Sequence, residues 1–193
     1  MPSLNLRLWA SPAPMTKKYS VLLFLLASML WLPCAGADQY GKDVNISLCF
    51  TPGGSCTDRI IREIASARSE ILIQAYSFTS APIAKALIEA RKRGVKVAAI
   101  LDKSQRTAKY TSATFLANMR VPTYIDDRHA IAHNKIIIID GLTTITGSFN
   151  FTKAAQEKNA ENLLIIRSKE IAKAYRENWN DHLKHSERYE PRY

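Results

Sequence analysis

His133-Asn134-Lys135-Ile136-Ile137-Ile138-Ile139-Asp140, followed by Gly147-Ser148-Phe149-Asn150, is the stretch on which the reading of this chain turns. It has the form H-x-K-x4-D-x6-G-S-x-N. The segment predicts two strands, residues 130–139 and 143–146, joined at Asp140-Gly141, a strong hairpin signal. On an extended strand, residues i and i+2 share a face about 6–7 Å apart, so His133 and Lys135 can flank one phosphate. A neutral imidazole can attack phosphorus, and a neighbouring ammonium can hold a non-bridging oxygen.

Outward from this hairpin, strand and helix patterns alternate. Residues 44–50 read as a strand and 57–68 as a helix with Ile60, Ile61 and Ile64 on one face. Residues 71–78 form the next strand. A helix then runs from Ser80, with Pro82 in its first turn, to Gly94. Residues 95–101 are almost entirely apolar, as in a strand buried on both faces. Residues 110–119 look helical and 122–125 extended. After the hairpin come a helix at 152–158, a strand at 162–167 and a closing helix from 168 to about 185. The closing helix carries Ile171, Ala172, Tyr175, Trp179 and Leu183 at helical spacing. The expected fold class is α/β, a mixed β-sheet sandwiched between helices.

Residues 1–37 read as a signal peptide. Lys17 and Lys18 form the basic region, 21–32 the apolar run and Ala35-Gly36-Ala37 the cleavage site, with Met15 as an alternative start. The apolar run is shorter than the roughly 20 residues that span a bilayer. The expectation is therefore a periplasmic or secreted bacterial protein, without a membrane anchor after cleavage. Of the 193 residues, 38–193 remain as a single domain. Loss of Arg7, Lys17 and Lys18 lowers the net charge from +10 to +7. That excess favours a polyanionic partner without distinguishing nucleic acid from an anionic membrane. Cys49 and Cys56 bracket a Pro-Gly-Gly turn, and a disulfide between them is expected in an oxidising compartment. Neither the cysteines nor the histidines show zinc-ligand spacing, so no metal or cofactor is expected.

The candidate catalytic set is His133, Lys135, Asp140, Ser148, Asn150 and Glu161. His133 is the nucleophile, splitting one hydrolysis into two steps through a phosphohistidine. Lys135 offsets charge on the equatorial oxygens. Ser148 and Asn150 lie between a strand and a helix, where hydroxyl, amide and backbone N–H groups meet phosphate oxygens. Asp140 has the opposite parity and is expected to hold the hairpin. An orienter for His133 is required; Glu161 leads the candidates, with Asp126, Asp127 and Glu157 as competitors. A general acid is also required. His129 would lie about 13 Å from His133 along a strand, and His182 and His185 are expected to face solvent. A second His133 across a two-fold axis would supply the acid. Lys103, Arg106 and Lys109, in a loop after an apolar strand, are the candidate substrate-binding cations.

The motif, together with Gln74-Ala75-Tyr76-Ser77-Phe78-Thr79 and Leu101-Asp102-Lys103-Ser104-Gln105, resembles the phospholipase D superfamily. Within it, the similarity is to small single-motif secreted or periplasmic bacterial endonucleases of the Nuc type. That resemblance implies a homodimer acting without a metal ion on DNA or RNA, leaving 5′-phosphate and 3′-hydroxyl ends. It implies His133 of one subunit as nucleophile and His133 of the partner subunit as acid. It also implies Lys135, Ser148 and Asn150 as phosphate ligands and Glu161 as orienter. Two other readings stay open: a phospholipase D acting on phosphatidyl lipids, and an inactive nucleic-acid-binding module.

Overall fold

The computed structural model describes residues 44–108 and 111–191; the expected signal peptide, Lys109 and Tyr110 lie outside them. In chain order the elements are β1 (Asn45–Thr51), α1 (Cys56–Ser66), β2 (Glu70–Ala75), α2 (Ala81–Lys92) and β3 (Lys96–Asp102). A 3-10 turn (Lys103–Arg106), α3 (Ser112–Asn118), β4 (Thr123–Asp126), β5 (Lys135–Ile139) and β6 (Thr143–Gly147) follow. α4 (Lys153–Glu157), β7 (Glu161–Arg167), α5 (Lys169–Leu183) and β8 (Glu187–Arg188) complete the fold. No helix among the described residues is long and apolar enough to cross a membrane.

The eight strands form one sheet in the order β1-β7-β6-β5-β2-β3-β4-β8. β2, β3 and β4 are parallel, as expected of strands joined by helical crossovers. β5, β6, β7 and β1 continue the sheet antiparallel. The sheet is mixed, with helices on both faces of its centre, the α/β arrangement expected from the sequence; on the edge strand β1 one face, with Ile46, Leu48 and Phe50, is exposed. Strand parity sorts the core. Ile71, Ile73, Val97, Leu101, Ile137 and Ile139 pack with Ile60, Ile64, Ile83 and Leu87 of α1 and α2. Leu72, Ile100, Ile136 and Ile138 point the other way, onto Ala172 and Trp179 of α5. The Trp179 indole N–H donates to the Ile73 carbonyl at 2.9 Å. α5 is thus held by a directional bond as well as by apolar burial.

Two expectations on element bounds need correction. The hairpin's first strand begins at Lys135, not at residue 130: the Ala132 N–H donates to the buried Asp102 carboxylate at 2.7 Å instead of joining a ladder. β2 stops at Ala75, and beyond it Phe78 makes only an isolated bridge with Phe151. Cys49 and Cys56 are joined, with Cα atoms 5.6 Å apart, tying β1 to the start of α1. Closing so short a loop contributes about 2.5 kcal/mol in the chain-entropy model. Gly54 in that loop passes so close to the Phe50 carbonyl that a Cβ would collide with it.

Candidate active site

One end of the sheet collects the motif. β2 and β3 finish there at Ala75 and Asp102, β6 finishes at Gly147, and the antiparallel β5 and β7 begin there at Lys135 and Glu161. Register places Ala75 opposite Lys135 and Gly147 opposite Leu163. Segments more than 80 residues apart in sequence therefore meet at one rim.

His133 lies just before β5, exposed, on a loop tied at both sides. The Ala132 bond to Asp102 holds the residue before it, and the Asn134 carbonyl accepts the Tyr76 N–H at 2.8 Å. The Tyr76 ring lies 4.7 Å from the His133 ring, inclined at 51°. Lys135 is 6% exposed. Its Nζ donates to the His133 carbonyl at 2.7 Å and sits 5.1 Å from the Tyr76 ring centroid. Burial holds the Lys135 ammonium below its ordinary pKa, and the negative charge of Glu161 offsets part of that effect. A lysine stripped of water, with a neutral carbonyl as its hydrogen-bond partner, is well suited to a phosphate oxygen.

Alternation positions the second half of the motif. Phe149 and Phe151 are fully buried, and Phe151 meets Phe78 edge-on at 5.7 Å. The residues between and before them, Ser148 and Asn150, are correspondingly less buried. Gly147 has φ +142°, and a Cβ there would strike the Asn162 carbonyl. That same carbonyl accepts the Ser148 and Phe149 N–H groups at 3.1 and 3.3 Å. The Ser148 hydroxyl donates to Glu161 at 2.6 Å and accepts the Asn162 N–H at 3.0 Å. The second Glu161 oxygen accepts from Asn159 at 2.9 Å. In this arrangement Glu161 braces Ser148 and biases Lys135. Asn150 Oδ1 is buried without a hydrogen-bond partner.

Asp140 occupies the far end of β5, five residues and about 17 Å from Lys135 at the strand rise. Its backbone is left-handed (φ 53°), a conformation that aspartate tolerates better than most residues. Its carboxylate accepts from the N–H groups of Arg68, Ser69 and Glu70 and from the Ser69 hydroxyl, all at 2.8–2.9 Å. Burial raises its pKa, but these donors outweigh that effect and leave it below the ordinary value.

The expectation that His182 and His185 face solvent is corrected. Their side chains are 14% and 19% exposed and, with His129, they surround the fully buried Asp126 carboxylate. Of the candidate substrate-binding cations, the Lys103 Nζ donates to the His129 carbonyl at 3.0 Å. Arg106 is paired with Glu187 at 2.7 Å. The sequence reading named neither Tyr76 nor Asp102 as site residues. Tyr76 lies one step beyond a strand adjacent to β5. Asp102 ends an apolar strand, where a buried carboxylate needs donors.

Residues 60–183 match the family model described as "Cardiolipin synthase, PLD-like domain". A protein of Rickettsia felis named Phospholipase D is 40% identical over 176 residues, 91% of this chain and 80% of its own. Nuc from Salmonella typhimurium, a phospholipase D family member of known crystal structure, superposes with a TM-score of 0.73 at 37% identity. The match covers 76% of this chain and 99% of that one. NucT from Helicobacter pylori superposes at 0.69 with 26% identity, over 76% of this chain and all of its own. With the motif at the sheet rim and the same fold in Nuc, this chain belongs to the phospholipase D superfamily of phosphodiesterases.

Proposed function

We propose that the protein is an endonuclease that hydrolyses DNA, and RNA with it, through a phosphohistidine on His133. The observation that carries this reading is the pairing of an exposed His133 with a buried, desolvated Lys135 that feels the charge of Glu161, itself hydrogen-bonded to Ser148. His133 attacks phosphorus while Lys135 and the Asn150 amide receive the charge of the oxygens, and the Ser148 hydroxyl joins them on turning from Glu161 to the phosphate. The leaving oxygen takes a proton from His133 of the partner subunit. Water then cleaves the phosphorus–nitrogen bond, returning its proton to that second imidazole. The charge compensation comes from side chains, so the chemical step itself uses no metal ion. All four histidines of the chain are described; the other three are committed to Asp126, which favours a homodimer with a composite site. Glu161, acting through Ser148 and Lys135, sets the site's charge and geometry. The net positive charge suits any polyanionic substrate, and similarity to Nuc over nearly all of that protein favours nucleic acid among them. Cleavage of phosphatidyl lipids is the second reading, favoured by the name of the Rickettsia relative.

Purified protein would be offered supercoiled plasmid, RNA and phosphatidylcholine vesicles in parallel. It would then be mixed with excess His133→Ala chains under subunit exchange. Nicking is expected from wild type and not from His133→Ala, and activity should fall faster than the wild-type fraction. Phosphatidic acid release with intact plasmid would replace the nuclease reading with the lipid one. Activity proportional to the wild-type fraction, with a monomeric mass, would rule out the shared site.

A further inference from the structure

Away from the motif, four side chains from three segments converge. Asp126 ends β4, His129 lies in the loop leading to His133, His182 is in the last turn of α5, and His185 follows that helix. One ligand atom from each lies within 4.8 Å of the others. His182 Nδ1 is 2.6 Å from Asp126 Oδ2, His129 Nδ1 is 3.2 Å from both carboxylate oxygens, and His185 Nε2 is 3.4 Å from Oδ1. The imidazole centroids are 4.9, 5.3 and 5.4 Å apart.

We propose that Asp126, His129, His182 and His185 form a structural zinc site. Three imidazoles and a carboxylate are a ligand set that suits this ion. Bonds of about 2.0–2.2 Å in a tetrahedron place ligand atoms about 3.3 Å apart. The separations to Asp126 bracket that value. The widest separation, 4.8 Å, has to close by about 1.5 Å, within reach of imidazole rotation about two side-chain torsions. A metal-free hydrogen-bond network explains the cluster less well. His185 Nε2 is buried and, though 3.4 Å from Asp126 Oδ1, makes no well-directed hydrogen bond, an arrangement that ordinarily costs stability. Asp126 Oδ1 also accepts the Arg128 N–H at 3.2 Å, orienting the carboxylate as metal-binding carboxylates usually are. His129 is the ligand open to water, its side chain 45% exposed, and gives the ion a way in.

Four protein ligands leave no coordination position for substrate, so the ion fastens structure and performs no chemistry. It would clamp the end of α5 to the 127–134 loop, four residues before His133. The ion would add to the Asp102–Ala132, Tyr76–Asn134 and Lys103–His129 hydrogen bonds that already hold that loop. This proposal does not depend on the substrate class.

The test measures metal, not turnover. Untagged protein is stripped with a strong chelator, exposed to zinc, desalted, and its zinc content and thermal midpoint recorded. Wild type and His133→Ala should each retain about one zinc per chain with a raised midpoint. His182→Gln and His185→Gln should retain less than about a tenth as much, as loss of a ligand predicts. Cobalt in the zinc-free protein should give the visible bands of a four-coordinate ion. His182→Cys, which replaces one zinc ligand with another, should keep the metal and add a thiolate-to-cobalt band; this result also guards against misfolding of the glutamine variants. Wild-type protein that takes up no zinc overturns the site, as does zinc content unchanged in both glutamine variants.

Discussion

The two ends of β5 carry charged residues of the same motif and treat them oppositely. At one end Asp140 is saturated, with four donors on its carboxylate. At the other, Lys135 is buried with its ammonium on a neutral carbonyl. A fully satisfied charge stabilises a fold, whereas a desolvated and weakly satisfied one costs stability until an anion arrives. The sequence sets them apart only by parity, with Asp140 five residues beyond Lys135 and at a turn. Their hydrogen-bond partners set them further apart, in the sense that the proposed roles require.

The largest expected effect comes from breaking the reactive end. Lys135→Met should lower the cleavage rate on the order of 10²–10³-fold, the usual loss for a transition-state donor. Its thermal midpoint should equal or exceed that of wild type, because the substitution removes a buried charge. Alkaline pH sharpens the contrast. The folded pKa of Lys135 is lowered, so wild type gains stability relative to Lys135→Met as pH rises from that value towards the unfolded one. A variant that is both inactive and markedly destabilised would place Lys135 in the scaffold.

Asp140→Asn should do the reverse. Asparagine tolerates the left-handed backbone but lacks the charge, so about 1.5–3 kcal/mol of stability should be lost in denaturant titration. The rate per folded molecule should stay near wild type. A drop comparable to that of Lys135→Met would return Asp140 to the chemistry. The smallest effect is a pH dependence. Because the Asp140 pKa is lowered on folding, its contribution is complete above the unfolded value of about 3.9 and disappears as pH falls through the folded value. The stability gap between wild type and Asp140→Asn should therefore close in acid. A gap that persists there would point to backbone strain.

Strand alternation, the Asp140-Gly141 turn and helix punctuation made most elements legible in the sequence. The motif's spacing also put Lys135 and Ser148 at the ends of neighbouring strands, whereas His133 reaches the rim on a loop held by Asp102 and Tyr76, which strand parity does not reveal. The alternating Ala-Ile-Ala at 130–132 has the period of a strand, but the distant Asp102 carboxylate diverts Ala132 from the sheet. β8 has two residues, too few for any period to register. The histidine cluster was illegible for a different reason. Its members are local neighbours only in pairs, and the pairs meet because α5 returns across the sheet to the end of β4. The i, i+3 spacing of His182 and His185 was visible, but no local rule connects it with Asp126.

The indole of Trp179 has an optical consequence. It is the one tryptophan among the described residues, since Trp9 and Trp31 lie in the first 37. Dry and bonded to the Ile73 carbonyl, it should emit at short wavelength and shift to the red when water reaches it. Its fluorescence therefore reports, without any label, the lifting of α5 from the sheet. Followed beside circular dichroism, it would distinguish release of that one helix from cooperative unfolding of the whole domain.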